Sequence, residues 1–330
     1  MTTKRFNPVT RRHAMQVLGA LGGAALLPAA TAQAEKVVRF VLPNATGSGV
    51  DAITRAAQPA LARALGVASV VVDNQPGAGG IVGLQALARS APDGSTLSVV
   101  SNNVVIFPSV YKTLPFNMPN DFTPIAICGF TPVVLVVNPK VPAKDAKEFA
   151  ALLKAKPGEL NYASGGNGTI LHLAAEMYLD EIGAKARHIP YKGVGPMVTD
   201  LIGGQVEFGT VALPSVQGHL KSGALRAIGM ATKERVPAAP DIPTFAEQGV
   251  PGYVVEAWFA VIGPKGMAAA EVKRIHDAVA AAFNAPEVKE TMARQGNVIN
   301  VSSTEYAQGF FRSELAKYAA LVKKAGVELQ

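Results

Sequence analysis

The chain has 330 residues, 49% hydrophobic and 17% charged, with a formal net charge of +7. That is enough apolar material to bury large cores, and with no Lys/Arg-rich run it excludes a nucleic-acid-binding surface. One cysteine, Cys128, excludes an internal disulfide, and its apolar setting marks it as a packing residue.

The first residues carry Lys4, Arg5, Arg11 and Arg12 and no acid. A small-residue apolar run, Ala14 to Ala30, and Thr31-Ala32-Gln33-Ala34 follow. A basic start, an apolar centre and an Ala-x-Ala end predict an export signal over residues 1–34, cut after Ala34. Gly19, Gly22, Gly23 and Pro28 interrupt the run, which is also short for a membrane span. Arg11-Arg12 fits the twin-arginine route and the rest fits ordinary secretion, so both stay open. With no cysteine at the cleavage position, the product is expected to be a soluble protein of the periplasm. Cleavage leaves 296 residues with a net charge of +3, room for two domains.

The mature chain alternates short β-branched runs with Ala/Leu-rich stretches. Strands are predicted at Val37–Leu42, Val70–Asp73 and Thr96–Ser101, and helices at Asp51–Leu65 and Gly80–Arg89. Thr123–Asn138 is too long for one strand and reads as a crossover into a second domain. There the helices are Ala146–Lys156, Ile170–Ile182 and Met197–Ile202, and the strands Leu160–Ala163, His188–Tyr191 and Phe208–Leu213. Leu225–Ala231 could return the chain to the first domain, and Val254–Ile262 adds a strand there. Helices Ala268–Phe283, Pro286–Arg294 and Thr304–Lys324 close the chain, the last with Thr304 placed as its cap. The expected fold is α/β: a clamshell of two lobes, each a mostly parallel sheet flanked by helices, joined by two crossover strands. Lobe 1 comprises residues 35–126 and 236–330, and lobe 2 residues 127–235.

Two loops could carry chemistry. The first strand runs into Pro43-Asn44-Ala45-Thr46-Gly47-Ser48-Gly49-Val50-Asp51 and then a helix. The strand at Asn161–Ala163 runs into Ser164-Gly165-Gly166-Asn167-Gly168-Thr169 and another helix. Strand ends of this type face the ligand crevice, and a Gly/Ser/Thr loop at a helix start leaves amide N–H groups free for an anion. Candidate ligand-binding residues are Asn44, Ala45, Thr46, Gly47 and Asp51 in the first loop. In the second they are Ser164, Gly165, Gly168 and Thr169.

Gly47-x-Gly49-x-x-Ala52, with Asp73 ending the next strand, also approaches a dinucleotide fingerprint, so an exported NAD(P)-dependent oxidoreductase is the alternative. A second Gly-rich loop after Asp73 and the lack of an acid–base pair weigh against it. His172, His188, His219 and His276 have no metal-binding spacing, no nucleophile elbow exists, and neither catalytic residues nor a cofactor are expected. His172 and Glu176, four apart on one helix, read as a packing pair. Trp258 and Phe259 read as core, with a cleft wall as the alternative.

Taken in order, the motifs resemble a known family. They include Val72-Asp73-Asn74-Gln75-Pro76-Gly77-Ala78-Gly79-Gly80, Ala91-Pro92-Asp93-Gly94, Lys156-Pro157-Gly158-Glu159-Leu160-Asn161-Tyr162 and Gly168-Thr169 through His172-Leu173. Pro190-Tyr191-Lys192-Gly193, Asp200 to Val206 and Pro243-Thr244-Phe245-Ala246-Glu247 follow. The chain resembles the extracytoplasmic receptors of tripartite tricarboxylate transporters, the Bug family. The resemblance implies a Venus-flytrap receptor, not an enzyme, monomeric, that passes a small organic anion to membrane permease subunits. It also implies support for the two loops from Ser101, Asn102 and Tyr191. In the first loop Asn44 stands where the family usually has an aromatic residue, Thr46 where it has Ala, and Ser48 where it has the second Gly. These changes point to a more polar solute.

Overall fold

The β-branched runs pair into two sheets. The computed structural model describes residues 36–327 and 329, and the export segment with its cleavage position lies outside them. The first lobe holds β1 (Val37–Leu42), α1 (Gly49–Leu65), β2 (Ser69–Asn74), α2 (Ile81–Ala88), β3 (Thr96–Ser101), α3 (Asn103–Ile106) and β4 (Phe122–Thr131). The second holds β5 (Val133–Val137), α4 (Ala146–Ala155), β6 (Asn161–Ser164), α5 (Ile170–Ile182), β7 (Arg187–Pro190), α6 (Val194–Gly203), β8 (Phe208–Ala212), α7 (Leu213–Lys221) and β9 (Arg226–Met230). The chain then returns with β10 (Ala257–Pro264), α8 (Ala269–Asn284), α9 (Pro286–Arg294), β11 (Val298–Ile299) and α10 (Thr304–Lys324).

The result is an α/β clamshell of two sheets, ordered β11-β4-β10-β3-β1-β2 and β7-β6-β8-β5-β9. Both sheets are mixed rather than mostly parallel. β1 lies parallel to β2 and β3, while β10 runs antiparallel to β3 and β4. β6 lies parallel to β7 and β8, while β5 runs antiparallel to β8 and β9. The reversal comes from the crossing strands, which enter each sheet from the other lobe rather than by a helical crossover.

Three expectations change. The first crossing lies at Pro132, not at residue 127: every residue from Phe122 to Thr131 except Ile125 and Cys128 is paired with β10. Pro132 has no amide proton to continue the ladder, so the chain changes sheets there. Leu225–Ala231 does not return the chain to the first lobe, and neither does residue 236: β9 is the edge strand of the second sheet beside β5, and the chain stays on it, with Met230 N donating to Pro243 O, Phe245 N to Met230 O and Val255 N to Ala231 O. The cap of α10 is Ser303, whose side chain accepts the Tyr306 amide, while Thr304 Oγ1 donates to the Ile125 carbonyl.

One core packs α1, α8 and α9 against the first sheet through Phe40, Ile53, Leu61, Ile275 and Phe283. Cys128 belongs to it, fully buried, and burial pushes its thiol up to about 12. A second core is continuous between the lobes, from Phe107, Trp258 and Tyr318 to Val133, Tyr162 and Tyr178. The third backs the second sheet with Met197, Leu201 and Val211.

Candidate ligand-binding site

Each of the two loops is fixed by a buried anchor. In the first, the Asp51 side chain is buried under the loop it closes. Its Oδ2 accepts the Gly47 amide at 3.0 Å, and its Oδ1 accepts Arg55 Nε at 2.8 Å and Asn74 Nδ2 at 3.0 Å. Ser48 caps α1 by accepting the Asp51 amide at 3.2 Å. In the second loop, Thr169 caps α5 by accepting the His172 amide at 3.3 Å, and its hydroxyl donates to the Gly166 carbonyl at 2.8 Å. Ser164 Oγ accepts the Gly166 amide at 3.2 Å and lies 2.7 Å from His188 Nε2. The Gly168 amide donates to His172 Nδ1 at 3.1 Å.

The loops meet across one cleft, where the two lobes also touch. Asn103 Oδ1 of the first lobe accepts the Ile170 amide of the second at 2.8 Å, and the Tyr111 hydroxyl donates to the Asn167 carbonyl at 3.3 Å. Gly193, at φ +116, approaches Ala45 so closely that a Cβ there would lie 2.6 Å from the Ala45 Cβ. This position requires glycine both for its backbone and for its neighbour. Between the lobes lies a cavity of about 80 Å³ in which the centre of a water molecule can move. One water needs only about 10–15 Å³ of such space, so the cavity suits a solute of several heavy atoms.

Among the described residues, four helices longer than eight residues begin at this cavity. Ser48, Gly49 and Val50 open α1, Thr169, Ile170 and Leu171 open α5, Gly193 and Val194 open α6, and Ala212 precedes α7; all line it. The first amides of a helix have no acceptor within it, and each helix start carries roughly half a positive charge. Among the described residues no Lys, Arg, Asp or Glu lines the cavity. Its polar lining comes from Asn44, Ser48, Ser101, Asn103, Thr131 and Thr169, and its walls from residues such as Val133, Trp258 and Phe259. Asn44 Oδ1 is buried with no hydrogen-bond partner among the described residues.

Of the candidate residues, the structure brings Asn44, Ala45, Ser101, Gly165 and Thr169 to the lining. Thr46 and Gly47 are exposed and lie outside it. Asp51, Ser164 and Gly168 sit one layer behind, holding loop backbone. Asn102 is fully buried and bonds Trp258 N, Glu256 O and the Tyr318 hydroxyl; its neighbour Asn103 takes the lining place. The Tyr191 hydroxyl donates to Asp200 at 2.8 Å, and burial, then Asp200, pushes it up to about 12. Trp258 is core and wall at once, with Nε1 donating to buried Glu314 at 2.8 Å. Sequence reading missed the starts of α6 and α7 as site elements. For α7, Pro214 in the first turn is the available signal.

Behind the second loop, His172 and His188 stack with ring centroids 3.8 Å apart, and Tyr162 stacks on His188 at 4.8 Å. Burial pulls His188 down to about 4, and burial with the neighbouring His188 pulls His172 down to about 3. The Tyr162 hydroxyl donates to Glu176, whose acid burial raises. Among the described residues no cluster of His, Cys, Asp and Glu suits a metal ion, and no helix is long and apolar enough to cross a membrane.

Residues 53–327 match the family model described as tripartite tricarboxylate transporter family receptor. Protein BugT of Bordetella pertussis is 34% identical over 295 residues, covering 89% of this chain and 90% of BugT. Rpa4515 of R. palustris, solved with adipate, superposes with a TM-score of 0.85 at 28% identity, over 89% of this chain and 98% of that one. MatC from Rhodopseudomonas palustris, solved with bound malate, gives a TM-score of 0.79 at 28% identity, over 86% and 99%. On this match and this fold, the chain belongs to the receptor family of the tripartite tricarboxylate transporters, alongside the Bug proteins.

Proposed function

We propose that this protein is a periplasmic solute receptor, not an enzyme, that closes its two lobes around a small organic carboxylate and delivers it to membrane permease subunits of a tripartite tricarboxylate system. The observation that carries the reading is the convergence of four helix starts on a cavity that no charged side chain among the described residues lines. Such a cradle attracts an anion through backbone amides alone, and a bound carboxylate gains about 1.5–3 kcal/mol per charge-assisted bond. The adipate and malate carried by two solved relatives are acids of this class. Contacts made to both lobes at once favour the closed arrangement over the open one. An export signal over residues 1–34 and a monomeric receptor fit this role.

The buried, unpartnered Oδ1 of Asn44 narrows the class. Closing the lobes with that acceptor unpaired costs about 1–3 kcal/mol, which a hydroxyl or ammonium on the solute relieves. The favoured solutes are therefore hydroxy- or amino-substituted acids. The nicotinamide alternative has less support. A cavity of about 80 Å³ is too small for a dinucleotide, and Asp73 is held by Gln75 Nε2 at 2.8 Å and Arg39 at 3.7 Å, outside the lining.

The test is a thermal-shift and calorimetric screen of mature protein against matched acids: succinate, malate and aspartate; glutarate, 2-hydroxyglutarate and glutamate. A ligand at about 100 times its Kd adds about 2.7 kcal/mol to stability, a visible shift. The expected result is binding of a substituted acid about tenfold tighter than its unsubstituted parent, a preference lost in Asn44→Ala. Absence of binding by any carboxylate, or copurification with a nicotinamide chromophore, would overturn the reading.

A further inference from the structure

Proton accounting in the stack behind the second loop fixes what its two imidazoles do. The Gly168 amide donates to His172 Nδ1 at 3.1 Å, so that nitrogen carries no proton and the ring's hydrogen sits on Nε2. His172 Nε2 faces Glu176 Oε1 at 4.0 Å, and the Glu176 carboxyl is already engaged by the Tyr162 hydroxyl. Ser164 Oγ has one proton and two lone pairs. It accepts the Gly166 amide at 3.2 Å and lies 3.0 Å from the Gly166 carbonyl, to which it donates. The 2.7 Å contact with His188 Nε2 is satisfied when that nitrogen is the donor. Every polar atom at the Ser164 turn is then paired, with both rings neutral. Two imidazolium ions stacked 3.8 Å apart, His172 buried and His188 half-buried, would repel.

We infer that His172 and His188 are positioning residues for the loop Ser164–Thr169, both held neutral with the proton on Nε2. His172 acts as the acceptor that orients the Gly168 amide, and His188 as the donor that locks Ser164 under the turn. Neither ring lines the cavity; His172 acts through the Gly168 amide and His188 through the Ser164 hydroxyl. His172 also sits in the first turn of α5, whose start lines the cavity, so one side chain ties the loop to the helix end behind it. A ring protonated on Nδ1 could not accept the Gly168 amide. This assignment rests on the proposed function only for its effect on ligand; the tautomers and the loop contacts stand apart from it.

The test separates the two. Long-range ¹H–¹⁵N spectra of the full mature protein are expected to show Nδ1 of His172 unprotonated and Nε2 of both rings protonated near neutral pH. The Gly168 amide resonance is expected to shift in His172→Leu and to be restored in His172→Asn, whose Oδ1 can stand in for Nδ1. For whichever acid of the screen binds the wild type, His172→Leu should weaken binding by about tenfold, the scale of one oriented hydrogen bond, and His172→Asn should recover most of it. His188→Gln, which keeps a donor, should bind better than His188→Phe, which keeps only the ring face. A protonated His172 Nδ1, or a His172→Asn variant that folds yet behaves like His172→Leu, overturns the inference. If no acid binds the wild type, the receptor reading fails while the spectra still decide this one.

Discussion

The two loops sit at matching places in the two lobes and are anchored by opposite chemistry. The first hangs on a buried aspartate that takes hydrogen bonds from Gly47, Arg55 and Asn74 at once. The second hangs on a pair of stacked neutral imidazoles and one serine. A charged anchor holds its loop strongly and stands or falls as a unit. A neutral anchor needs its tautomers right and is exposed to acid. The same backbone cradle therefore responds to different perturbations on its two sides.

The largest effect is expected at the charged anchor. Asp51→Ala leaves the Gly47 amide, Asn74 and half-exposed Arg55 without their shared acceptor. A loss of about 2–3 kcal/mol in urea unfolding is expected, with weakened ligand binding. A loss smaller than that of His172→Leu would remove the ranking of the two anchors.

Acid should act through the second loop. Burial pulls His172 down to about 3 and His188 down to about 4, below the ordinary 6.5. Between 6.5 and those lower values the unfolded chain binds more protons, so stability is full above pH 6.5 and falls as pH drops toward 4. Each imidazole contributes a slope of up to about 1.4 kcal/mol per pH unit. Glu176 works the other way: its raised acid keeps a proton in the folded state and favours folding at the acidic end. Urea melts at a series of pH values should show the net decline. His172→Asn combined with His188→Gln should flatten it.

The helix caps should be equal. Ser48→Ala at α1 and Thr169→Ala at α5 each remove one amide acceptor and should cost about 1 kcal/mol in thermal unfolding. An effect at Thr169 far above that at Ser48 would show the second loop to be the weaker half. The smallest effect on stability belongs to Asn44→Ala, within about 0.5 kcal/mol of wild type or slightly stabilised, because its Oδ1 has no partner to lose among the described residues.

Local signals carry much of the fold. Ile170–Ile182 and Pro286–Arg294 are readable to the residue because Thr169, Gly183 and Pro286 punctuate them. The α10 boundary is equally clear, yet its cap is one residue earlier than expected, because Ser303 and Thr304 are chemically alike and only the packing of Thr304 on Ile125 separates them. The sheets are harder. Whether β9 and β10 run with or against their neighbours depends on partners far away in the chain, and nothing in Arg226–Met230 marks it as an edge strand. The same limit applies to the site. Glycine-rich strand ends reveal both loops, but which side chains face the cavity is set by tertiary placement. Asp51 and Tyr191 turn away to bind Gly47 and Asp200, and the starts of α6 and α7 arrive from elsewhere in the lobe.

Among the described residues no ionisable side chain lines the cavity, which has a consequence for how such a receptor changes cargo. Peptide dipoles do not titrate, so within the pocket itself only the guest can gain or lose a proton. Positions such as Asn44, Val133 and Thr131 can then be exchanged without unbalancing a buried charge. Selectivity can drift one wall residue at a time while the helix starts of the cradle stay in the main chain.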